Sequence, residues 1–162
     1  MTQLPRRSLL GWLGAGAAGT ALAACGSGPA EAKSFAIQYS DAEWKKRLNR
    51  EQYYILRKKG TETPGSSPLL KEHRKGTFVC AGCAQPLFSS STKYDSRTGW
   101  PSFWQALPRA IGTSTDWDVG YARTEVHCSR CGGHQGHVFN DGPRPTGKRY
   151  CINGDALLFK PG

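Results

Sequence analysis

The stretch Arg149-Tyr150-Cys151-Ile152-Asn153, close to the C-terminus, reads as a β-strand with two unlike faces. Side chains alternate across a strand, so Arg149, Cys151 and Asn153 share one face while Tyr150 and Ile152 point toward a core. A thiol is thereby set beside a permanent cation and a carboxamide. Both neighbours favour the thiolate, which is the reactive form of cysteine. A buried inert cysteine gains nothing from such company, whereas a nucleophile does.

The same strand grammar extends upstream as far as Thr77. Phe78-Val79, Leu87-Phe88, Phe103-Trp104, Ala110-Ile111, Val119 to Val126, Val138-Phe139 and, beyond the opening stretch, Leu157 to Phe159 are short apolar or alternating runs separated by Gly, Pro, Asp and Ser. This spacing predicts a mainly β fold of small antiparallel sheets. The 20 Gly and 10 Pro among 162 residues suit short strands and turns, and the length suits one domain. No internal repeat, second domain or phosphate-cradling glycine loop is evident.

Before the strands come two helix signals. Ser40-Asp41-Ala42-Glu43 fits a capping box, with Trp44 and Leu48 on one face. Asn49-Arg50-Glu51-Gln52 repeats it and starts a helix carrying Tyr53 and Leu56 that is expected to stop at Gly60. These helices are expected to cover the core, with their Lys and Arg in solvent. Thr61 to Pro68 reads as a loop, and His73, between Glu72 and Arg74, as a surface residue.

The formal charge of +10 invites a nucleic-acid reading. The Lys and Arg residues are scattered, however, without a basic run interleaved with base-stacking aromatics, so no nucleic-acid partner is expected. A general attraction to acidic surfaces, anionic lipid included, accounts for the charge.

Four of the six cysteines form two knuckles, Cys80-Ala81-Gly82-Cys83 and Cys128-Ser129-Arg130-Cys131. Two Cys-x-x-Cys pairs can gather four thiolates around one zinc, a closed structural site that would tie two distant hairpins across 44 intervening residues. Two disulfides, or a thioredoxin-like motif, are the competing readings; the last needs a βαβ setting that neither knuckle has. Between the second knuckle and Cys151 lies Gly133-His134-Gln135-Gly136-His137-Val138-Phe139-Asn140-Asp141-Gly142-Pro143. By spacing alone His134, His137 and Asp141 make a metal site, a turn, or an acid/base group held by a carboxylate. The nearby thiol favours the last, since a nucleophile without a proton donor is half a site.

Residues 1–24 read as an export address. Arg6-Arg7 precedes Ser8-Leu9-Leu10-Gly11-Trp12-Leu13 and an apolar run ending at Ala24, a pattern of the twin-arginine kind and too short for a permanent membrane span. Leu22-Ala23-Ala24-Cys25 resembles the lipobox of bacterial lipoproteins, in which the cysteine is acylated; an ordinary cleaved signal peptide is the alternative. Residues 25–37, rich in Gly, Ser, Pro and Ala up to Ser34, then form a flexible tether, and 38–162 the folded domain. The expected location is the periplasm or cell envelope of a bacterium, with the chain held at the membrane through Cys25.

Lys93-Tyr94-Asp95-Ser96 with Gly99-Trp100-Pro101-Ser102-Phe103, Arg123-Thr124-Glu125-Val126, Gly136-His137-Val138-Phe139 with Asp141-Gly142-Pro143, and Arg149 to Asn153 together resemble methionine sulfoxide reductase B, peptide-methionine (R)-S-oxide reductase. The likeness runs from about Tyr39 to Pro161 and includes both knuckles. It implies two small antiparallel sheets packed as a tent, short N-terminal helices, and a structural zinc away from the active site. By resemblance Cys151 is the nucleophile, His137 and His134 act on the sulfoxide oxygen, and Asp141 holds the imidazole or a water. Arg149 and Asn153 are polar partners of the site, and Trp100 and Phe139 receive the methyl group. The implied partners are oxidised proteins and a thioredoxin-like or small-thiol reductant, and the implied state is a monomer.

Four positions depart from the family pattern. Thr98 stands where many relatives carry a cysteine that resolves the sulfenic acid, Gln135 where leucine is frequent, and Gly154-Asp155 where Ser-Ala is frequent. The competing function classes are a zinc-ribbon binding module on a lipid anchor, with Cys151 inert, and a thiol–disulfide oxidoreductase.

Overall fold

A computed structural model describes residues 34–162. The export segment and Cys25 lie outside the described residues. Among the described residues no helix is long and apolar enough to cross a membrane.

Both helix signals hold. Helix α1 spans Asp41–Arg47 and α2 Arg50–Lys58, and each begins with a complete capping box, Ser40 with Glu43 and Asn49 with Gln52. Each box satisfies backbone N–H groups that the first helical turn leaves without partners. The end of α2 differs from expectation. The left-handed cap is Lys59 (φ 55°), and Gly60 is needed for space, because a Cβ there would lie 2.2 Å from the Tyr54 ring. Trp44, Ile55 and Leu56 are buried. Lys45, Lys46, Arg47, Arg50 and Lys58 are exposed as expected, but Arg57 is partly buried, donates to the Cys131 carbonyl at 3.1 Å and lies over the Trp44 ring.

Nine strands follow, all paired antiparallel. β1 (Gly76–Cys80), β2 (Pro86–Ser89) and β9 (Leu157–Pro161) form a three-stranded sheet in the order β2-β1-β9. β3 (Lys93–Tyr94), β4 (Ser102–Phe103), β5 (Ile111–Asp116), β6 (Arg123–Cys128), β7 (His134–Phe139) and β8 (Arg149–Ile152) form the second, in the order β3-β4-β8-β7-β6-β5. The expected strand from Val119 to Val126 is shorter, because Trp117 to Ala122 turn between β5 and β6. The sheets meet through aromatic rings. Phe88 of the small sheet stacks on Phe103 of the large one with centroids 4.4 Å apart, and Phe78 meets Phe103 edge-on at 5.0 Å. Such contacts contribute beyond the area they bury.

The chain enters this fold ahead of residue 38. The Ile37 N–H donates to Arg130 O, and Phe35 sits edge-on to His127, where it occupies the space a Cβ on Gly132 would need. The loop from Thr61 is also fixed: Glu62 accepts from the backbone N–H groups of Gly154 and Asp155, both at 2.8 Å. Gly154, one of the departures from the family pattern, is required there, since a Cβ would fall 1.9 Å from Ser67 Oγ.

Candidate active site

Five cysteines among the described residues are free of disulfides, and they fall into two groups. Cys80 at the end of β1 and Cys83 just after it meet Cys128 at the end of β6 and Cys131 beyond. The Sγ atoms of Cys80 and Cys131 are 3.8 Å apart, those of Cys83 and Cys128 3.5 Å, and all four lie within 4.8 Å of one another. A disulfide needs about 2.05 Å. A tetrahedron of Zn–S bonds about 2.3 Å long has edges of about 3.8 Å. The spacing therefore fits four thiolates around one metal ion and leaves no ligand position open. Leu56 closes the cluster over Gly82 and Gly133, and Gln135 Nε2 donates toward Cys80 Sγ at 3.5 Å. Gln135 thus faces the cysteine cluster and not the cavity at Cys151.

The second group is Cys151 alone. Its placement, and that of both histidines, depends on one irregularity in β7. In a regular strand residues three apart point to opposite faces, so His134 and His137 would be separated. The β6–β7 register shifts between Val126 and His127: Val126 pairs with Gly136 but His127 with His134, which leaves Gln135 as an extra residue. A bulge of this kind re-aims side chains. The two imidazoles come together, 5.4 Å between centroids. Gly136 makes the bulge possible, with φ at +150° and the Cys151 carbonyl oxygen 2.1 Å from where a Cβ would be.

His137 and Cys151 are direct partners across β7 and β8, so their side chains rise side by side. Together with Thr61, Trp100, Arg123, Gly136, Phe139 and Asn153 they line a cavity of about 130 Å³. A water molecule takes about 30 Å³ of liquid, so the cavity suits a group of a few heavy atoms. The indole of Trp100 is fixed by donation to Glu62 O at 3.2 Å.

Sequence reasoning missed the groups that hold the histidines. His137 Nε2 is 2.6 Å from Asp116 Oδ2, which also accepts from Arg123 at 2.7 Å. The Asp118 backbone N–H, aided by His137 and Arg123, holds the Asp116 carboxyl down to about 2. An ionised Asp116 can only accept, so Nε2 carries the proton and Nδ1 is left to exchange one. Burial pushes the His137 imidazole below its ordinary value, only partly opposed by Asp116. Behind it, His134 Nδ1 is 2.8 Å from Glu125 Oε1, while Lys59 and Ser114 donate to Oε2 at 2.8 Å each. Burial works to raise Glu125, but His134, Lys59 and Ser114 outweigh it and keep the carboxyl low. His134 Nε2 is buried with no hydrogen-bond partner among the described residues.

Asp141 is a correction. It does not hold an imidazole; it takes both Nε and Nη2 of Arg149, at 2.9 and 2.8 Å, on the exposed side of the site. Arg149 in turn stacks over Phe139 at 4.4 Å. Asn153 lines the cavity, and its amide nitrogen donates to Gln135 O while its oxygen accepts from the Glu62 N–H, which ties the loop to β7. Burial outweighs Arg149, which does lower the thiol as expected. Burial pushes Cys151 up, and Thr98 and Arg149 offset this only in part. Thr98 Oγ1 lies 3.8 Å from Cys151 Sγ, at the end of a row of hydroxyls through Ser96 to Ser102. The resting pair is therefore a neutral thiol beside a neutral imidazole.

Residues 48–161 match the SelR domain. "Peptide methionine sulfoxide reductase MsrB" of Leptospira interrogans is 54% identical over 128 residues, covering 78% of this chain and 98% of that protein. The proteins of the same name from Agrobacterium fabrum and Methanosarcina barkeri are 49% and 53% identical over 126 residues each, covering 77% of this chain and 93% and 89% of theirs. The chain belongs to the MsrB family.

Within this family member the cavity is built from two sources. Motif residues supply its walls, namely Trp100, His137, Phe139, Cys151 and Asn153. Asp116 and Glu125 supply its alignment, and Asp116 does not stand out in sequence, because β5 reads Ile-Gly-Thr-Ser-Thr-Asp without an apolar period. One signal was available: Arg123 and Glu125 lie two apart in a motif already singled out, so they share a face of one strand.

Proposed function

We propose that this chain reduces the R epimer of methionine sulfoxide in proteins, using Cys151 as nucleophile and an external thiol to restore it. The observation that carries the reading is the meeting of Cys151, His137, Arg123, Trp100 and Phe139 around one small cavity. The Cys151 sulfur attacks the sulfoxide sulfur to form an S–S bond, and the thiol proton passes through His137 Nδ1 to the sulfoxide oxygen. The resulting hydroxyl moves to the Cys151 sulfur as the S–S and substrate S–O bonds break, so methionine leaves and Cys151 holds the oxygen as a sulfenic acid. One external thiol then forms a mixed disulfide with release of water, and a second frees Cys151 as the external pair is oxidised. Asp116 keeps the imidazole oriented with Nδ1 available, and Arg149 adds positive charge beside the sulfur. The methyl group fits against Trp100 and Phe139, and with the oxygen at the histidines one configuration presents its sulfur to Cys151.

The cluster of Cys80, Cys83, Cys128 and Cys131 is proposed to hold one zinc, which supplies a crosslink between the two sheets and no chemistry at Cys151. With Cys25 assigned to a lipid, no sixth thiol remains to resolve the sulfenic acid. The full proposal is a lipoprotein that takes up zinc in the reducing cytosol, is exported folded by the twin-arginine route, and works in the bacterial cell envelope as a monomer.

Turnover of defined sulfoxide epimers tests the activity. Reduction of the R epimer alone, lost in Cys151→Ser, is expected; equal turnover of the S epimer would refute the assignment. Membrane fractionation of wild type against Cys25→Ala tests the anchor, which is refuted if the two distribute alike.

A further inference from the structure

Of the large hydrophobic side chains exposed among the described residues, three crowd into one five-residue turn: Trp117 (65% exposed), Val119 (49%) and Tyr121 (62%). Single exposed apolar residues are ordinary, whereas a cluster marks a contact surface. The turn is formed and not loose, for the Gly120 N–H donates to Trp117 O at 3.0 Å and the Asp118 N–H to Asp116 Oδ1 at 2.8 Å. None of the three rings or branches joins the core. The roots of this turn are parts of the active site. Asp116, just before it, holds His137, and Arg123, just after it, bonds Asp116 and lines the cavity that Cys151 opens into.

We infer that the Trp117–Tyr121 turn is a docking lip for apolar residues flanking the oxidised methionine in an extended polypeptide substrate. The inference rests on the reading of Cys151 and its cavity as the sulfoxide-reducing site. The cavity has room for the methionine side chain and little else, so the neighbouring residues of a protein substrate must lie outside it, and the lip joins the cavity wall directly through Arg123 and Asp116. Trp and Tyr give large contact areas at small cost in side-chain freedom. A bilayer would also take aromatic residues, but the exposed Asp118 between Trp117 and Val119 opposes anionic head groups and hydrocarbon alike. A polypeptide backbone tolerates it.

The test compares full-length wild type with the double variant Trp117→Ser/Tyr121→Ser, both with a chemical thiol as reductant. Three substrates are used: a blocked single methionine sulfoxide, an oxidised peptide flanked by Leu and Phe, and one flanked by Ser and Gly. The variant is expected to lose about tenfold in kcat/KM on the apolar-flanked peptide, mostly in KM, the scale of removing two aromatic contacts. Its turnover of the blocked amino acid should stay within about twofold of wild type. An unchanged preference between peptides, or an equal loss on all three substrates, would overturn the lip. So would flotation with phosphatidylcholine–phosphatidylglycerol vesicles, or a concentration-dependent dimer, that the variant abolishes, since these reassign the turn to a membrane or to a second copy. Wild type inactive on the blocked amino acid would remove the activity itself, and the lip with it.

Discussion

The two ends of β7 treat cysteine in opposite ways. Near its start, four sulfurs lie within 4.8 Å of one another against Leu56, and three of the four cysteines are buried. Farther along, the single sulfur of Cys151 faces a cavity, with an imidazole across the strand and a hydroxyl at 3.8 Å. The residue type is the same, and the neighbours decide what it does. Crowded thiols have no stable arrangement until a cation sits among them, so their chemistry is spent on holding the sheets together. A lone thiol kept neutral by burial waits for a substrate that can accept its proton. The bulge at Gln135 joins the two ends, with the Gln135 side chain on Cys80 and both histidines on the other side.

The contrast is broken most severely by exchanging serine for cysteine at each end. Cys151→Ser should cost more than about 10³-fold in kcat/KM, because no comparable nucleophile remains. Its melting temperature should stay within about 2 °C of wild type, as expected for a near-isosteric change at a partly buried position that lines a cavity. Cys128→Ser should do the reverse. The domain should lose its metal and its cooperative thermal transition, followed by metal analysis and circular dichroism. If Cys151→Ser unfolded the domain while Cys128→Ser left it folded, the two roles would be exchanged.

Asp116→Asn comes next. An amide can offer Nε2 an N–H in place of an acceptor, which favours the wrong tautomer, and a loss of about 10²-fold in kcat is expected. Asp116 holds the imidazole pKa up against burial. Its removal should therefore move the acid limb of the kcat/KM profile to lower pH, and a move to higher pH would contradict the arrangement. In the wild type that limb should lie below the ordinary imidazole value of about 6.5, and the alkaline limb above the ordinary thiol value of about 8.5. The smallest effect is that of Thr98→Val. Thr98 lowers Cys151 against burial, so the thiol should titrate higher still and react with iodoacetamide a few-fold more slowly at fixed pH.

The expected outcomes for Cys151 and Cys128 were legible in the sequence, because both rest on local patterns: alternation across Arg149 to Asn153, and two knuckles of fixed spacing. The capping boxes of α1 and α2 were legible for the same reason. The one for Asp116 was not. Its contact with His137 depends on strand order β5-β6-β7 and on a bulge, and neither leaves a mark in the run Thr113-Ser114-Thr115-Asp116. Asp141, four residues beyond His137, was the natural guess from proximity in sequence, but Arg149 is directly opposite Phe139 across β7 and β8 and captures it. Burial misled in a similar way at Cys151, because a sequence shows its charged neighbours and not the solvent it has lost.

The division of labour between the two sulfur groups is tested most directly by a single turnover. Reduced, metal-loaded protein receives one equivalent of methionine sulfoxide without reductant and is then treated with dimedone and read by mass spectrometry, with metal release followed in parallel. The expected result is one methionine formed per chain, a dimedone adduct on Cys151, and four unmodified cluster cysteines with zinc retained. A disulfide between Cys151 and any of Cys80, Cys83, Cys128 or Cys131, with zinc set free, would show that the cluster takes part in the chemistry and would contradict the account.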